Sequence, residues 1–203
     1  MSLLATLLAQ LRAVSWLEWL ALLSGVGYAL LAVRHSRWCW VSGALSSGLL
    51  AILAARQRLP MQAFMQASYV LFAVYGFWSW TKASAAVLQP PIRTLPWIWH
   101  GAVLALIVAV TMLAATWLAK YTQADWPRLD TAVMLASYFA TWLTATSRLE
   151  NWGYWIVIDI SSVFLYGSQS LLLAAVLFAI YAVIAVLGLS SWWRRWRVQS
   201  HAQ

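Results

Sequence analysis

The sequence predicts an all-α integral membrane protein with seven transmembrane helices, arranged as two parallel three-helix bundles joined by a linking helix. Three observations support this fold class: a high apolar content, a low charge content and an internal repeat. Of the 203 residues, 64% are hydrophobic and only 9% are charged, and the mean hydropathy is +0.75. Because soluble domains contain about 25% charged residues, this composition argues against a water-soluble fold.

The basic residues lie between the apolar segments, as they do in the loops of integral membrane proteins. The formal net charge of +8 therefore predicts no nucleic-acid partner. The single cysteine, Cys39, excludes an intramolecular disulfide and is expected to be a buried apolar residue. The three histidines are scattered, and the chain has no metal-binding motif and no phosphate-binding loop, so we predict no metal and no cofactor.

Seven segments have the length and apolar character of membrane spans, which need about 17–25 residues. The fifth and sixth are short and contain the most polar residues, and no proline interrupts any span. The predicted spans are 15–33, 38–55, 61–80, 96–120, 131–146, 152–167 and 169–190. The chain then divides into an amphipathic lead-in (1–14), a first three-helix repeat (15–80), a loop (81–95), a linking helix (96–120), a second three-helix repeat (121–190) and a basic cytoplasmic tail (191–203).

The distribution of lysine and arginine predicts the orientation of the chain. The side that holds the carboxyl terminus carries Arg34, Arg37, Lys82, Arg93, Arg148, Arg194, Arg195 and Arg197, and the other side carries Arg12, Arg56, Arg58, Lys120 and Arg128. By the positive-inside rule, the carboxyl terminus lies in the cytoplasm and the amino terminus lies outside. The tryptophan- and arginine-rich tail is interpreted as an interfacial anchor.

The internal repeat is visible as pairs of identical or similar residues at a nearly constant separation. The pairs are Trp40 and Trp155, Ser46 and Ser161, Ser47 and Ser162 at an offset of 115, and Glu18 and Asp130, Gln57 and Gln169, Tyr69 and Tyr181, Gly76 and Gly188, Trp80 and Trp192 at an offset of 112. Two three-helix units joined by one further helix run parallel, and such folds bind substrate between the repeats near the membrane midplane.

The sixth span carries a wall of aromatic and polar side chains. On a helix, Trp152, Trp155, Asp159, Ser162 and Tyr166 fall within about 80° of one another. A charge at the bilayer centre costs roughly 3 kcal/mol, so Asp159 is expected to have a charged or hydrogen-bonding partner or a functional role. Since indoles bind cations over their faces, the wall predicts a site for a cationic aromatic small molecule. The alternative is that the indoles form an interfacial belt and that Asp159 is a protonated packing residue.

A second polar wall lies on the third span, where Gln62, Gln66, Tyr69, Gly76 and Trp80 again fall within about 80° of one another on a helix. Gln66 is the deepest polar group of this wall. Gln66 either contacts substrate or hydrogen-bonds a neighbouring helix. The fifth span adds a polar stripe made of Ser137, Tyr138, Thr141 and Thr144. The candidate substrate-binding residues are Trp152, Trp155, Asp159, Gln66, Ser162, Tyr69, Ser47 and Tyr181.

Two segments resemble a known family. Residues 150–159 (ENWGYWIVID) resemble the Trp-x-x-Trp-x-x-x-Asn/Asp signature of the PnuC vitamin transporters, and Gln66 with Tyr75, Gly76 and Trp78 resembles that family's third-helix pattern. The resemblance implies a three-plus-one-plus-three fold related to the sugar-transporting SWEETs, in a bacterial inner membrane. It implies energy-independent facilitated diffusion of a vitamin, trapped inside by a cytoplasmic kinase. It also implies that the signature tryptophans, the signature acid and Gln66 line the substrate site.

The last position of the signature bears on which vitamin is carried. Nicotinamide riboside transporters of this family commonly carry Asn there, and this chain carries Asp159. A carboxylate suits an amino-bearing cation, so thiamine is favoured, with nicotinamide riboside as the alternative. A proton-coupled transporter that uses Asp159 is a second alternative. An enzyme is not expected, because Asp159 has no second buried acid or base beside it, and the sequence leaves homo-oligomerisation open.

Overall fold

The computed structural model describes residues 3–84, 91–121 and 126–201, and this part of the chain is all-helical, as predicted. Residues 85–90 of the predicted loop, 122–125 of the predicted second repeat and the last two residues of the predicted tail lie outside the described residues. The helices are α1 (Leu3–Ala13), α2 (Trp16–Val33), α3 (Trp38–Arg56), α4 (Pro60–Ser84), α5 (Trp97–Tyr121), α6 (Pro127–Ala145), α7 (Asn151–Ser168) and α8 (Leu172–His201).

Local sequence signals mark several helix starts. Ser15 caps α2, because its hydroxyl accepts from the backbone N–H of Glu18 while the Glu18 carboxylate accepts from the N–H of Ser15 at 2.7 Å. Prolines begin α4 and α6, where the missing N–H costs nothing. At the start of α8, the Gln10 side chain accepts from Leu173 N and donates to Ser170 O, which fastens α1 to the α7–α8 turn.

The last helix differs from its predicted bounds at both ends. It begins at Leu172 rather than at residue 169, because residues 169–171 form the turn and Ser170 has a φ of 59°. It also continues through the basic residues to His201, so the described part of the predicted tail is helical and extends α8.

Within the described residues, four helices are long and apolar enough to cross a bilayer: α2, α3, the Trp97–Ala114 part of α5, and α8. The remaining long helices, α4, α6 and α7, are more polar. The reason is visible in the structure, since these three helices carry most of the polar side chains that face the interior of the bundle. The prediction of seven spans therefore stays a prediction for these three helices.

Six helices form a closed ring. Each of α2, α3, α4, α6, α7 and α8 packs against the next, and α8 packs against α2, while α5 packs outside on α6 and α1 packs on α8. This contact pattern is unchanged when α2, α3 and α4 are exchanged with α6, α7 and α8. The two groups of three helices, which we call the first and second halves, are therefore related by an approximate two-fold axis through the ring.

The backbone shows that the two halves are related by an offset of 112 throughout. Left-handed residues end equivalent helices at His35 and Ser147, with φ of 56° and 54°, and at Arg58 and Ser170, both with φ of 59°. Each pair is 112 positions apart. The part of the repeat predicted at an offset of 115 is therefore wrong.

The corrected offset changes the partners of Trp40 and Ser47. A Cβ at Gly76 would lie 2.3 Å from the Trp40 ring, and a Cβ at Gly188 would lie 2.5 Å from the Trp152 ring, so Trp40 corresponds to Trp152 and not to Trp155. By the same offset, Ser47 corresponds to Asp159 and not to Ser162. The misalignment arose because 16 tryptophans make chance matches of tryptophan and serine easy.

The close approach at Gly188 gives a stability prediction. Gly188→Ala places a methyl group inside contact distance of the buried Trp152 ring, and such overpacking costs about 1–3 kcal/mol. We expect a lower thermal unfolding midpoint for the detergent-purified variant. The matched control is Gly153→Ala on α7, where a Cβ meets no atom within 4 Å. Equal midpoints for the two variants would contradict the close contact.

Candidate substrate cavity

The ring of six helices encloses a cavity of about 570 Å³. This volume lies within the range of small-molecule sites, about 300–1,000 Å³. At one end, which we call the open end, the lining residues include the exposed Met61 and Asp130 at the starts of α4 and α6. At the other, the closed end, they include Ala32, Thr144 and Asn151, which are all buried.

All of the residues predicted to bind substrate line this one cavity. They are Trp152, Trp155, Asp159, Gln66, Ser162, Tyr69, Ser47 and Tyr181. Tyr166 and Gln62, from the same two predicted walls, also line it, whereas Gly76 and Trp80 do not and lie at the closed end. The helical spacing therefore identified two faces that point to the interior of the ring.

Trp152 and Trp155 have different environments despite their shared wall. Trp152 is only 4% exposed and packs edge-on against Trp192 at 5.5 Å, so most of its ring belongs to the closed end. Trp155 is less buried, and its indole Nε1 donates to Thr144 Oγ1 at 3.3 Å. Trp155 is therefore the better placed of the two to offer an aromatic face to a ligand.

Thr144 is the centre of the polar network that orients Trp155. Its hydroxyl accepts from the Trp155 indole, lies 2.9 Å from Ala140 O and lies 3.2 Å from Asn151 Oδ1. Asn151 Nδ2 in turn donates to Arg148 O at 2.5 Å. Because Thr144 and Asn151 are almost fully buried, these bonds are shielded from water and hold the indole in one orientation.

The charges in the cavity are acidic. Asp130 and Asp159 line it, and no Lys, Arg or His occurs among its described lining residues. Asp159 is 4% exposed, and no described residue forms a hydrogen bond or salt bridge with its carboxyl group. A carboxyl group buried without a partner is costly, so this position suits a ligand that brings a positive charge or N–H donors.

Aromatic side chains form the walls on both sides of the open half. Tyr69 and Tyr138 lie 5.3 Å apart between ring centroids, and Ser68 Oγ fixes Tyr138 by donating to its hydroxyl at 2.9 Å. Across the ring, Tyr166 and Phe178 are stacked at 5.2 Å with an interplanar angle of 4°. Such surfaces accept a flat aromatic ring.

Several residues line the cavity without having been predicted to do so, among them Tyr28, Asn151 and Asp130. Two of these had a signal in the helical spacing. Asn151 lies four residues before Trp155 and eight before Asp159, on the same face of α7. Asp130 lies on the face of the polar stripe of α6, seven residues before Ser137. Nothing in the sequence indicated Tyr28.

The chain is similar to transporters in each of three comparisons with known proteins. A family model described as "Nicotinamide mononucleotide transporter" matches residues 15–194. The chain is similar to the riboflavin/roseoflavin transporter RibM of Streptomyces davaonensis, with 26% identity over 190 residues that cover 92% of this chain and 89% of that protein. It is also similar to the crystal structure of the vitamin B3 transporter PnuC, with a TM-score of 0.71 and 22% identity, covering 96% of this chain and 88% of the other. At that identity, the structural match shows the fold.

The hydrogen bonds of Thr144 give a second stability prediction. Thr144→Val keeps the shape of the side chain but leaves the Trp155 N–H without its buried acceptor, which costs about 1–3 kcal/mol. The matched control is Thr146→Val, because the Thr146 hydroxyl bonds only carbonyls of its own helix. Chemical or thermal unfolding in detergent should show a clearly larger loss for Thr144→Val, and equal losses would argue against the network.

Proposed function

This chain belongs to the nicotinamide mononucleotide transporter family, the PnuC vitamin transporters, and we propose that it carries a cationic aromatic vitamin, with thiamine favoured. The family resemblance drawn from the sequence is thus confirmed, and the chain is a multi-pass membrane transporter rather than an enzyme. The proposal for the substrate rests on one observation. The cavity has two carboxyl groups, Asp130 and Asp159, and no basic side chain among its described lining residues.

This charge pattern argues against a phosphorylated substrate. A phosphate carries about 1.5–2 negative charges at neutral pH and is normally bound by arginine, lysine or a helix amino terminus. The described lining of the cavity offers two acids instead. We infer that the dephosphorylated vitamin is the form transported. A cytoplasmic kinase would then trap it, because its phosphorylated product would be rejected by the same cavity.

Thiamine fits the arrangement of Trp155 and Asp159. Its aminopyrimidine can donate hydrogen bonds to the Asp159 carboxyl group, and its thiazolium can lie on an aromatic face. Nicotinamide riboside, a pyridinium cation, satisfies the same charge requirement and is the second candidate. The relative from Streptomyces davaonensis is described as a riboflavin/roseoflavin transporter. Riboflavin has no positive charge to pair with Asp159, so it is a useful comparison ligand.

The arrangement of helices supports a three-plus-one-plus-three topology with seven spans. The two halves of the ring have equivalent contacts, and α5 lies outside the ring, where it packs on α6 and its His100 contacts Tyr154 of α7, as a linker between the halves would. The described basic side chains at the closed end include Arg34, Arg148 and Arg194. We propose that this end faces the cytoplasm of a bacterial cell, that the cavity opens to the outside, and that alternating access moves the substrate.

The first test is uptake without an energy source. Proteoliposomes that contain the purified protein should take up labelled thiamine down its own gradient, with neither ATP nor an ion gradient present. Empty liposomes and liposomes with nicotinamide riboside or riboflavin in place of thiamine serve as controls. Uptake that requires a proton gradient would instead make Asp159 a coupling site, and absence of thiamine uptake would remove thiamine as the substrate.

The second test concerns the charge of Asp159. Asp159→Asn keeps the size of the side chain but replaces a charge-assisted contact, worth about 1.5–3 kcal/mol, with a neutral one. We expect calorimetric thiamine affinity to fall about 10- to 100-fold. Riboflavin affinity, where measurable, should not fall. Ser47→Ala removes the hydroxyl at the equivalent position of the first half and should have the smaller effect. Unchanged thiamine affinity in Asp159→Asn would contradict the charge argument.

A further inference from the structure

A single hydrogen bond joins the two halves of the ring on its approximate two-fold axis. His35 lies in the α2–α3 turn and Ser147 lies in the α6–α7 turn, and these residues are equivalent at the offset of 112. His35 Nε2 and Ser147 Oγ lie 3.1 Å apart, and both side chains are buried. Burial, assisted by the charge of Arg195, lowers the pKa of His35 to about 3, so the imidazole is neutral at physiological pH.

Four tryptophans surround this bond as two equivalent pairs. We call Trp40, Trp80, Trp152 and Trp192 the tryptophan plug. The His35 ring lies 4.4 Å from Trp80 and 4.5 Å from Trp192, and these two contact Trp40 and Trp152 edge-on at 5.4 and 5.5 Å. Trp40 and Trp152 also line the cavity, so the plug forms the closed end of the cavity.

The two seams between the halves differ at this end. Where α2 meets α8, Trp192 Nε1 donates to Ala32 O at 3.1 Å and Ser191 Oγ donates to Val33 O at 3.3 Å. Arg195 adds a third bond, to Arg34 O at 3.1 Å.

At the closed end, the described residues form no such bonds across the equivalent seam, where α4 meets α6; the Ser68–Tyr138 bond between these helices lies in the open half. The Nε1 of Trp80, the counterpart of Trp192, is buried and has no partner among the described residues. The neighbouring Thr81 Oγ1 is also buried and unpartnered there. This seam can therefore separate at the closed end without breaking a described side-chain hydrogen bond of its own, whereas the α2–α8 seam cannot.

The segment that leads into α5 is fastened to the second half. Arg93 N donates to Ser147 O at 3.0 Å, and Leu149 N donates to Arg93 O at 2.9 Å. Ile92 N donates to Gln199 Oε1 on α8 at 3.1 Å. The α6–α7 turn, the start of α5 and the end of α8 are thus held together as one body, and the movable elements at this end are α3 and α4.

We propose that the closed end is the inner gate of the transporter, that it opens at the seam between α4 and α6 with the α2–α8 seam as its hinge, and that the His35–Ser147 hydrogen bond is its latch. The proposal rests on the proposed function, because only alternating access requires this end to open. When α4 moves away from α6, the two tryptophan pairs of the plug separate. This movement also requires the His35–Ser147 hydrogen bond on the axis to break.

Cys39 is a natural reporter for this movement. It is the only cysteine in the chain, it lies in the first turn of α3, and it is fully buried in the cluster that contains the plug. N-ethylmaleimide should label it slowly in the wild-type protein. Ser147→Gly removes the latch hydroxyl while suiting the left-handed backbone, so we expect labelling to become about tenfold faster, since one hydrogen bond is lost. Mass spectrometry measures the rate.

The matched control is Ser170→Gly, the same substitution at a left-handed residue with φ of 59° at the opposite end. Wild-type labelling in Ser170→Gly together with fast labelling in Ser147→Gly supports the latch. Slow labelling in both variants, or equal acceleration in both, overturns it. If Ser147→Gly does not give a monodisperse protein, His35→Asn replaces it, because Asn also tolerates the left-handed backbone. The labelling assay contains no vitamin. If thiamine is not the substrate, thiamine uptake will be absent, but the difference in labelling between the two variants will remain.

Discussion

The structure depends on one constraint: in a bilayer, a polar side chain must be satisfied inside the protein. The helices α4, α6 and α7 carry most of the polar side chains that line the cavity, so these groups face the interior of the ring and not its outer surface. The apolar helices α2, α3 and α8 complete the ring with fewer polar groups. The cavity therefore collects the polar side chains of the ring. A ligand in the cavity can bind the polar groups that have no partner among the described residues, chiefly the Asp159 carboxyl group.

The ring is symmetric in its contacts but not in its chemistry. At the offset of 112, Trp155 corresponds to Gly43, Asp159 to Ser47 and Thr144 to Ala32. The second half thus supplies the indole, the acid and the hydroxyl that orients the indole, while the first half supplies small residues that leave room. Gly25 of the first half likewise leaves room for Tyr181 of the second half, since a Cβ at Gly25 would lie 2.7 Å from the Tyr181 hydroxyl. The first half still lines the cavity with Gln66 and Tyr69, so the asymmetry concerns these three pairs of positions.

Local periodicity predicted the long helices and the helix faces that line the cavity, because both depend on the sequence of single helices. Hydropathy located the long helices, and helical spacing placed Trp155, Asp159 and Gln66 on faces that line the cavity. The relation between the two halves was less accessible. Because tryptophan is abundant, a chance match three residues out of phase was possible; the left-handed turns and the two glycine–tryptophan contacts of the structure corrected it. The contact between His35 and Ser147 could not be predicted, because it depends on how the two halves meet in space.

The two-fold ring has a consequence for the ancestry of the fold. A half-length protein of three helices could form the same ring as a homodimer, with no linking helix. In that dimer the residue on the axis would face its own copy, so an imidazole and a hydroxyl could never meet there. In one chain joined through α5 the two equivalent positions can differ, and here residues 35 and 147 are histidine and serine. A homodimer of identical halves could not place this unlike pair on its axis.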